Sequence, residues 1–129
     1  MINRITELPV LVRKTEKLAQ DWELPVSLIL NISLVLEEAL ANIIYYAFSD
    51  NREHKIRISL SQSNNKLTVR IKDDGIPFDP SAQLQPDITL PAVERPVGGL
   101  GIFLISKIMD TVHYSREKNL NILTLIKKI

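Results

Sequence analysis

Glu38 and Asn42 stand four residues apart inside the apolar run Leu34 to Phe48. On a helix that spacing puts both side chains on one face, one turn apart. A buried polar pair costs on the order of 1–3 kcal/mol when unsatisfied, so a bound partner is expected. The asparagine carbonyl oxygen suits Mg²⁺, which takes few protein ligands and keeps waters and phosphate oxygens. A glutamate one turn away is placed to accept a proton from an attacking hydroxyl. Asp73-Asp74-Gly75-Ile76-Pro77-Phe78 follows an alternating segment. A carboxylate at a strand tip accepts a hydrogen bond from the amino group of adenine and leaves a guanine carbonyl unpaired. Gly98-Gly99-Leu100-Gly101 holds three of the four glycines and precedes a helical pattern. Bare amides at a helix start bind anions such as phosphates. Together the three motifs compose a nucleotide site.

Each motif also has a plain structural reading. Glu38 would sit at the edge of an apolar stripe while Asn42 bonds a neighbouring backbone. Asp74-Gly75 would be a simple turn. The glycines would let a helix pack tightly on a sheet. Glu37 competes with Glu38, but only Glu38 has the four-residue spacing to Asn42. The glycine run lacks the Gly-Lys-Ser/Thr of a Walker loop and does not follow a strand as a dinucleotide fingerprint would. His54 and His113 lack ligand spacing, so no metal site is expected from them.

The elements that must hold these residues follow from periodicity. Residues 2–6 suggest a short strand. Pro9 suits a first helical turn, and Leu11, Thr15, Leu18 and Trp22 continue it until Pro25. A second helix runs from about Pro25 to Phe48, with Leu28, Ile32, Val35, Ala39 and Ile43 as its apolar stripe. The period then changes to two. Ile56, Ile58 and Leu60, a turn at Asn64-Asn65, and Leu67, Val69 and Ile71 make a hairpin with one buried face. Residues 74–97 hold five of the seven prolines and read as a lid or binding loop. A third helix is expected from Gly99 to Met109, then a second hairpin over 111–116 and 121–127. The resulting class is α+β, a two-layer α/β sandwich.

The chain has 129 residues, of which 45% are apolar, which fits one domain with one core. Sixteen basic residues against 15 acidic give a net charge of +1, which points to neither nucleic acid nor a membrane surface. The apolar run is interrupted by Glu37, Glu38 and Asn42, and Met1-Ile2-Asn3-Arg4 lacks a signal-peptide layout. With no cysteine there is no disulfide or zinc-thiolate site. A cytoplasmic location is the expectation.

The order of the three motifs resembles the GHKL ATPase superfamily, whose members share the ATP-binding fold of gyrase, Hsp90, histidine kinases and MutL. Val35-Leu36-Glu37-Glu38-Ala39-Leu40-Ala41-Asn42 resembles its N box, Asp73-x-Gly75 with Phe78 its G1 box, and Gly99-Leu100-Gly101-Ile102-Phe103-Leu104-Ile105 its G2 box. The likeness spans about residues 8 to 128 and is greatest to the small anti-sigma-factor serine-protein kinases of bacteria. It implies the Bergerat fold, a mixed, mostly antiparallel sheet covered on one face by about three helices, with residues 79–97 as an ATP lid. It implies ATP and Mg²⁺, Glu38 as base, Asn42 as metal ligand, and nucleotide contacts from Asp73, Gly75, Pro77, Phe78, Gly98, Gly99, Leu100 and Gly101. Arg95 would reach the γ-phosphate and Thr124, on the last strand, the adenine pocket. Two departures stand out. Pro77 replaces the second G1 glycine, and Tyr46 stands where such kinases usually carry histidine. The implied activity is phosphorylation of a serine or threonine on an anti-anti-sigma (STAS-type) protein, with a sigma factor as the other partner and a homodimer as the assembly. Nucleic acid and membrane are not implied partners. The alternative is a non-catalytic ATP-binding module that sequesters a regulatory partner. The catalytic half of a two-component histidine kinase fares worse, because no phosphoacceptor helix is present.

Overall fold

The computed structural model describes residues 1–79 and 99–129, with the backbone alone at 99–103. Ile5–Glu7 forms a 3₁₀ turn that leads into helix α1, Leu8–Asp21. Pro9 occupies the first turn of α1, where no N–H is missed. Leu8, Val12, Thr15 and Ala19 form its buried stripe. The helix ends in a Schellman arrangement: Leu24 N–H donates to Ala19 O and Glu23 N–H to Gln20 O, with Glu23 at φ 58°.

Helix α2, Val26–Tyr46, is the spine of the molecule. Val35, Leu36, Ala39, Leu40 and Ile43 are almost wholly buried. By length and composition α2 could cross a membrane, yet ten of its residues are buried within this fold, so core packing accounts for its apolarity. The strand expected at residues 2–6 is reduced to one bridge, Ile2 with Lys55. Two residues of pairing offer too little to extend, and the chain turns at Ile5 instead.

Strands β1, Ile56–Ser63, and β2, Lys66–Asp73, form the first hairpin, and β3, Thr111–Glu117, and β4, Leu120–Lys128, the second. Each loop has two residues at positive φ, Asn64-Asn65 and Lys118-Asn119, the geometry of a type I′ turn. The sheet order is β1-β2-β4-β3, and all three pairings are antiparallel. Leu67, Val69, Ile71, Leu123 and Leu125 line the face that meets the helices. Helix α3, Gly99–Ile108, packs on α2 and contributes Ile105 to the core. The expected two-layer α+β architecture is therefore present: three helices on one face of the sheet.

The insertion of β4 between β2 and β3 decides the site. The pairing register sets Asn121, at the start of β4, opposite both Asp73, at the end of β2, and Arg116, near the end of β3. Three polar residues from three strands thus form one row across one end of the sheet.

Candidate functional site

Asp73 closes β2 on the helix-facing side and is only 3% exposed. Its Oδ1 accepts hydrogen bonds from Gly75 N (2.9 Å) and Asn121 Nδ2 (3.0 Å). Among the described residues no hydrogen bond reaches its Oδ2. Burial pushes the Asp73 carboxyl above its ordinary range, against the pull of the Asn121 and Gly75 bonds.

Asn121 is the hub of this end. Its amide also donates to Ile76 O at 2.7 Å, while Oδ1 accepts from Tyr114 Oη, Arg116 Nη1 (3.0 Å) and Phe78 N (3.3 Å). Arg116 further donates to Gly75 O at 3.1 Å. The loop after β2 is thus held at Asp73, Gly75, Ile76 and Phe78.

Gly75 serves a close approach to the end of α2. A Cβ there would lie 2.3 Å from Ala47 O and 2.8 Å from Ala47 Cβ. The loop comes this near because Ile76 N donates to Ala47 O at 2.8 Å, docking it on the end of α2. Tyr46 and Phe78 stack beside it with centroids 6.0 Å apart. Pro77 is exposed at the tip of this turn.

Asn42 lies one turn before Tyr46, and Glu38 one turn earlier still. At 1.5 Å per residue they stand ~6 Å and ~12 Å back along α2 from the aromatic pair. Asn42 is 5% exposed, and its amide donates to Glu38 O at 2.8 Å. The plain backbone-bonding reading therefore holds for the amide half. No hydrogen bond among the described residues reaches Oδ1, the atom a cation would take. Glu38 is half-buried and faces a cleft of about 570 Å³ between α1 and α2, shared with Val12, Arg13 and Glu16. Glu37 also borders this cleft but is exposed.

Gly99, Leu100 and Gly101 form the first turn of α3, whose amides lack intrahelical acceptors. Gly98 and Arg95, and residues 80–97 of the expected lid, lie outside the described residues. Thr124 is not brought to the cluster. It pairs with Arg70 and His113, on the sheet face away from the helices, whereas Asn121, Leu123 and Leu125 face inward. The polar residue of β4 at this end is Asn121, and the strand's alternation was the signal for it. His54 was also missed. Its ring lies 2.9 Å from Asp74 Oδ1 and 2.7 Å from Asp50 Oδ1, and stacks on Phe48 at 4.7 Å. The Asp50 contact chiefly raises the imidazole pKa, and His54 in turn lowers that of Asp50.

Three helices on one face of an antiparallel sheet, with α2 abutting the strand-end loop and a glycine-led α3, define a GHKL-type architecture. The model of the histidine kinase-like ATPase domain family matches residues 3–127, and the chain belongs to that family. It is 31% identical over 94 residues to the serine/threonine-protein kinase BtrW of Bordetella bronchiseptica, covering 73% of this chain and 66% of that protein. It is 28% identical over 96 residues to the serine-protein kinase RsbW of Listeria monocytogenes, covering 71% and 61%. The chain thus spans slightly less than two thirds of these relatives. Among solved structures, the histidine kinase domain of the blue-light activated kinase from Erythrobacter litoralis superposes with a TM-score of 0.56 at 20% identity, over 81% of this chain and 46% of that one. The Acinetobacter baumannii histidine kinase AdeS gives 0.55, also at 20% identity, over 78% and 46%.

The described residues fit magnesium and a nucleotide in their donor chemistry. Asn42 offers one neutral oxygen, and no cluster of three metal-ligating side chains competes for the ion among the described residues.

Proposed function

We propose that this chain binds Mg-ATP and transfers the γ-phosphoryl group to a serine or threonine of a protein partner. The observation that carries the reading is the alignment along α2. Asn42 and Glu38 stand one and two turns behind a loop that presents a buried, braced carboxylate. Asp73 Oδ2 accepts from the exocyclic amine of adenine, which excludes guanine. Asn42 Oδ1 holds magnesium, and the ion when bound neutralises phosphate charge. The Gly99–Gly101 amides hold phosphate oxygens. Glu38 accepts the proton of the attacking hydroxyl. That oxygen bonds to the γ-phosphorus as the bond to the β–γ bridging oxygen breaks, and ADP leaves. The relatives' names support kinase activity, and the resemblance to anti-sigma-factor kinases supports an anti-anti-sigma (STAS-type) substrate, a sigma factor as second partner and a homodimer.

The test is transfer of labelled phosphate from ATP to a cognate antagonist, beside titrations of ATP and GTP with and without Mg²⁺. The expected results are transfer by the native chain, loss of most transfer in Glu38→Ala with ATP binding retained, and preference for ATP. Undiminished transfer by Glu38→Ala overturns the assignment of the base. The Tyr46–Phe78 stack and Pro77 favour a second reading, a module that binds ATP without turnover and sequesters its partner. Tight ATP binding with no phosphoprotein would select it.

A further inference from the structure

The outer edge of the sheet carries a second recognition surface. Strand β1 is the edge, and among the described residues only Met1–Asn3 pair beyond it. Met1 N donates to Ile56 O, and Ile56 N to Met1 O. Ile56 therefore turns its backbone groups outward. By the alternation of an antiparallel ladder, Ile58, Leu60 and Gln62 do the same. Among the described residues their N–H and C=O groups have no strand partner and form a strand template.

The two sides of this edge differ in chemistry. A groove of about 450 Å³ runs along it, bordered by Leu11 and Ile58 towards α1 and by Arg57, Arg70 and Lys72 towards the open face of the sheet. Arg57 lies directly opposite Lys72, and Arg70 is its diagonal neighbour. Like charges set across a strand pair destabilise it. None of the three forms an ion pair among the described residues.

We propose that this edge binds an extended acidic segment of a protein partner by strand addition. Side chains of an added strand alternate between its faces. One face of the segment would meet Leu11 and Ile58 and the other Arg57, Arg70 and Lys72. The partner sequence that fits alternates apolar residues with Asp or Glu. A second copy of this chain fits poorly, because edge-to-edge pairing would bring the three cations against their own counterparts. The inference stands apart from the nucleotide reading, since none of these residues belongs to that site.

The test uses labelled peptides of about eight residues, which span the open length of β1. One alternates Val and Glu, a second has the same composition in blocks, and a third alternates Val and Glu but is N-methylated at every second residue. Fluorescence polarisation should show binding of the first alone, weakened at least about tenfold between about 0.05 M and 0.3 M salt. The double variant Arg57→Glu/Arg70→Glu should lose about tenfold or more in affinity while its ATP titration stays unchanged. Hydrogen exchange at Ile58 and Leu60 should slow on binding. Equal binding of the blocked or N-methylated peptide overturns strand addition. Tighter binding of a single-stranded oligonucleotide of equal charge overturns the choice of partner. A change in the mass of the free protein in the charge-reversed variant assigns the edge to a second copy and overturns the proposal, as does absence of any peptide binding.

Discussion

Replacing Asn121 with alanine tests how the strand-end site is held. Asn121 is 4% exposed and makes five hydrogen bonds, to Asp73, Ile76, Tyr114, Arg116 and Phe78. The truncation strips the Ile76 carbonyl of this donor and leaves Asp73 Oδ1 with Gly75 N alone. The Tyr114 hydroxyl loses its acceptor, while Arg116, on the exposed rim, turns to water. Two or three partly buried groups left short at ~1–1.5 kcal/mol each give a loss of about 3 kcal/mol. The loss should depend on pH. The folded Asp73 pKa lies above the unfolded value because of burial, and the Asn121 bond opposes that rise. Such a group is most favourable to the fold below its unfolded pKa, and this contribution disappears as pH rises through the folded pKa. Alanine raises the folded pKa further, so the variant's deficit is larger at pH 7 than in acid. Urea unfolding of both proteins at about pH 7 and about pH 4 measures this, provided both remain two-state. A deficit under ~1 kcal/mol, or one that does not shrink in acid, would refute the hub role.

Gly75→Ala forces a methyl to within 2.3 Å of Ala47 O, so the loop must lift from the end of α2; a loss of about 2–4 kcal/mol in thermal or urea unfolding is expected. For His54 the folded pKa is raised, so its contribution to stability is complete below the unfolded value near 6.5 and lost as pH rises through the folded pKa. The lowered pKa of Asp50 has the opposite sense, lost only as pH falls through its folded value. The melting temperature of His54→Gln should therefore fall furthest below the native value between these limits and approach it at alkaline pH. Glu23→Gly relieves a non-glycine residue at φ 58° in the α1 cap and should add about 0.5–1 kcal/mol in the same assays.

Much of this architecture is legible from periodicity. The α2 stripe and the two hairpins rest on patterns of 3.6 and two, which report burial directly. The I′ turn at Asn64-Asn65 needs residues that tolerate positive φ, and asparagine declares that locally. Legibility stops where an atom's partner comes from a distant strand. Asp73 and Gly75 are visible as a turn, but the residue that braces them lies 48 positions on, and only the order β1-β2-β4-β3 brings it there. The resemblance implies a polar residue of the last strand at the adenine pocket, and Thr124 is one such residue. Counting strand parity from Leu123 and Leu125 puts Asn121 inward and Thr124 outward. The resemblance implies Gly75 as a nucleotide contact, but its close approach to Ala47 at the end of α2 is not displayed by the sequence.

These placements give the site a division of labour. Asn42 and Glu38 belong to a single helix, so their relation to one another is fixed by helical geometry and survives most changes elsewhere. The strand-end carboxylate is fixed only by tertiary contacts: the row across β2, β4 and β3, and the Ile76–Ala47 bond to α2. Loosening the second set should move the Asp73 carboxylate relative to the helix while leaving Asn42 and Glu38 in place. Asn121→Ala and Gly75→Ala should accordingly weaken discrimination of ATP from GTP more than they alter the Mg²⁺ dependence of binding. Glu38→Ala should do neither, while abolishing most transfer. If all three variants lose the same properties together, α2 and the strand-end loop act as one unit and the division fails.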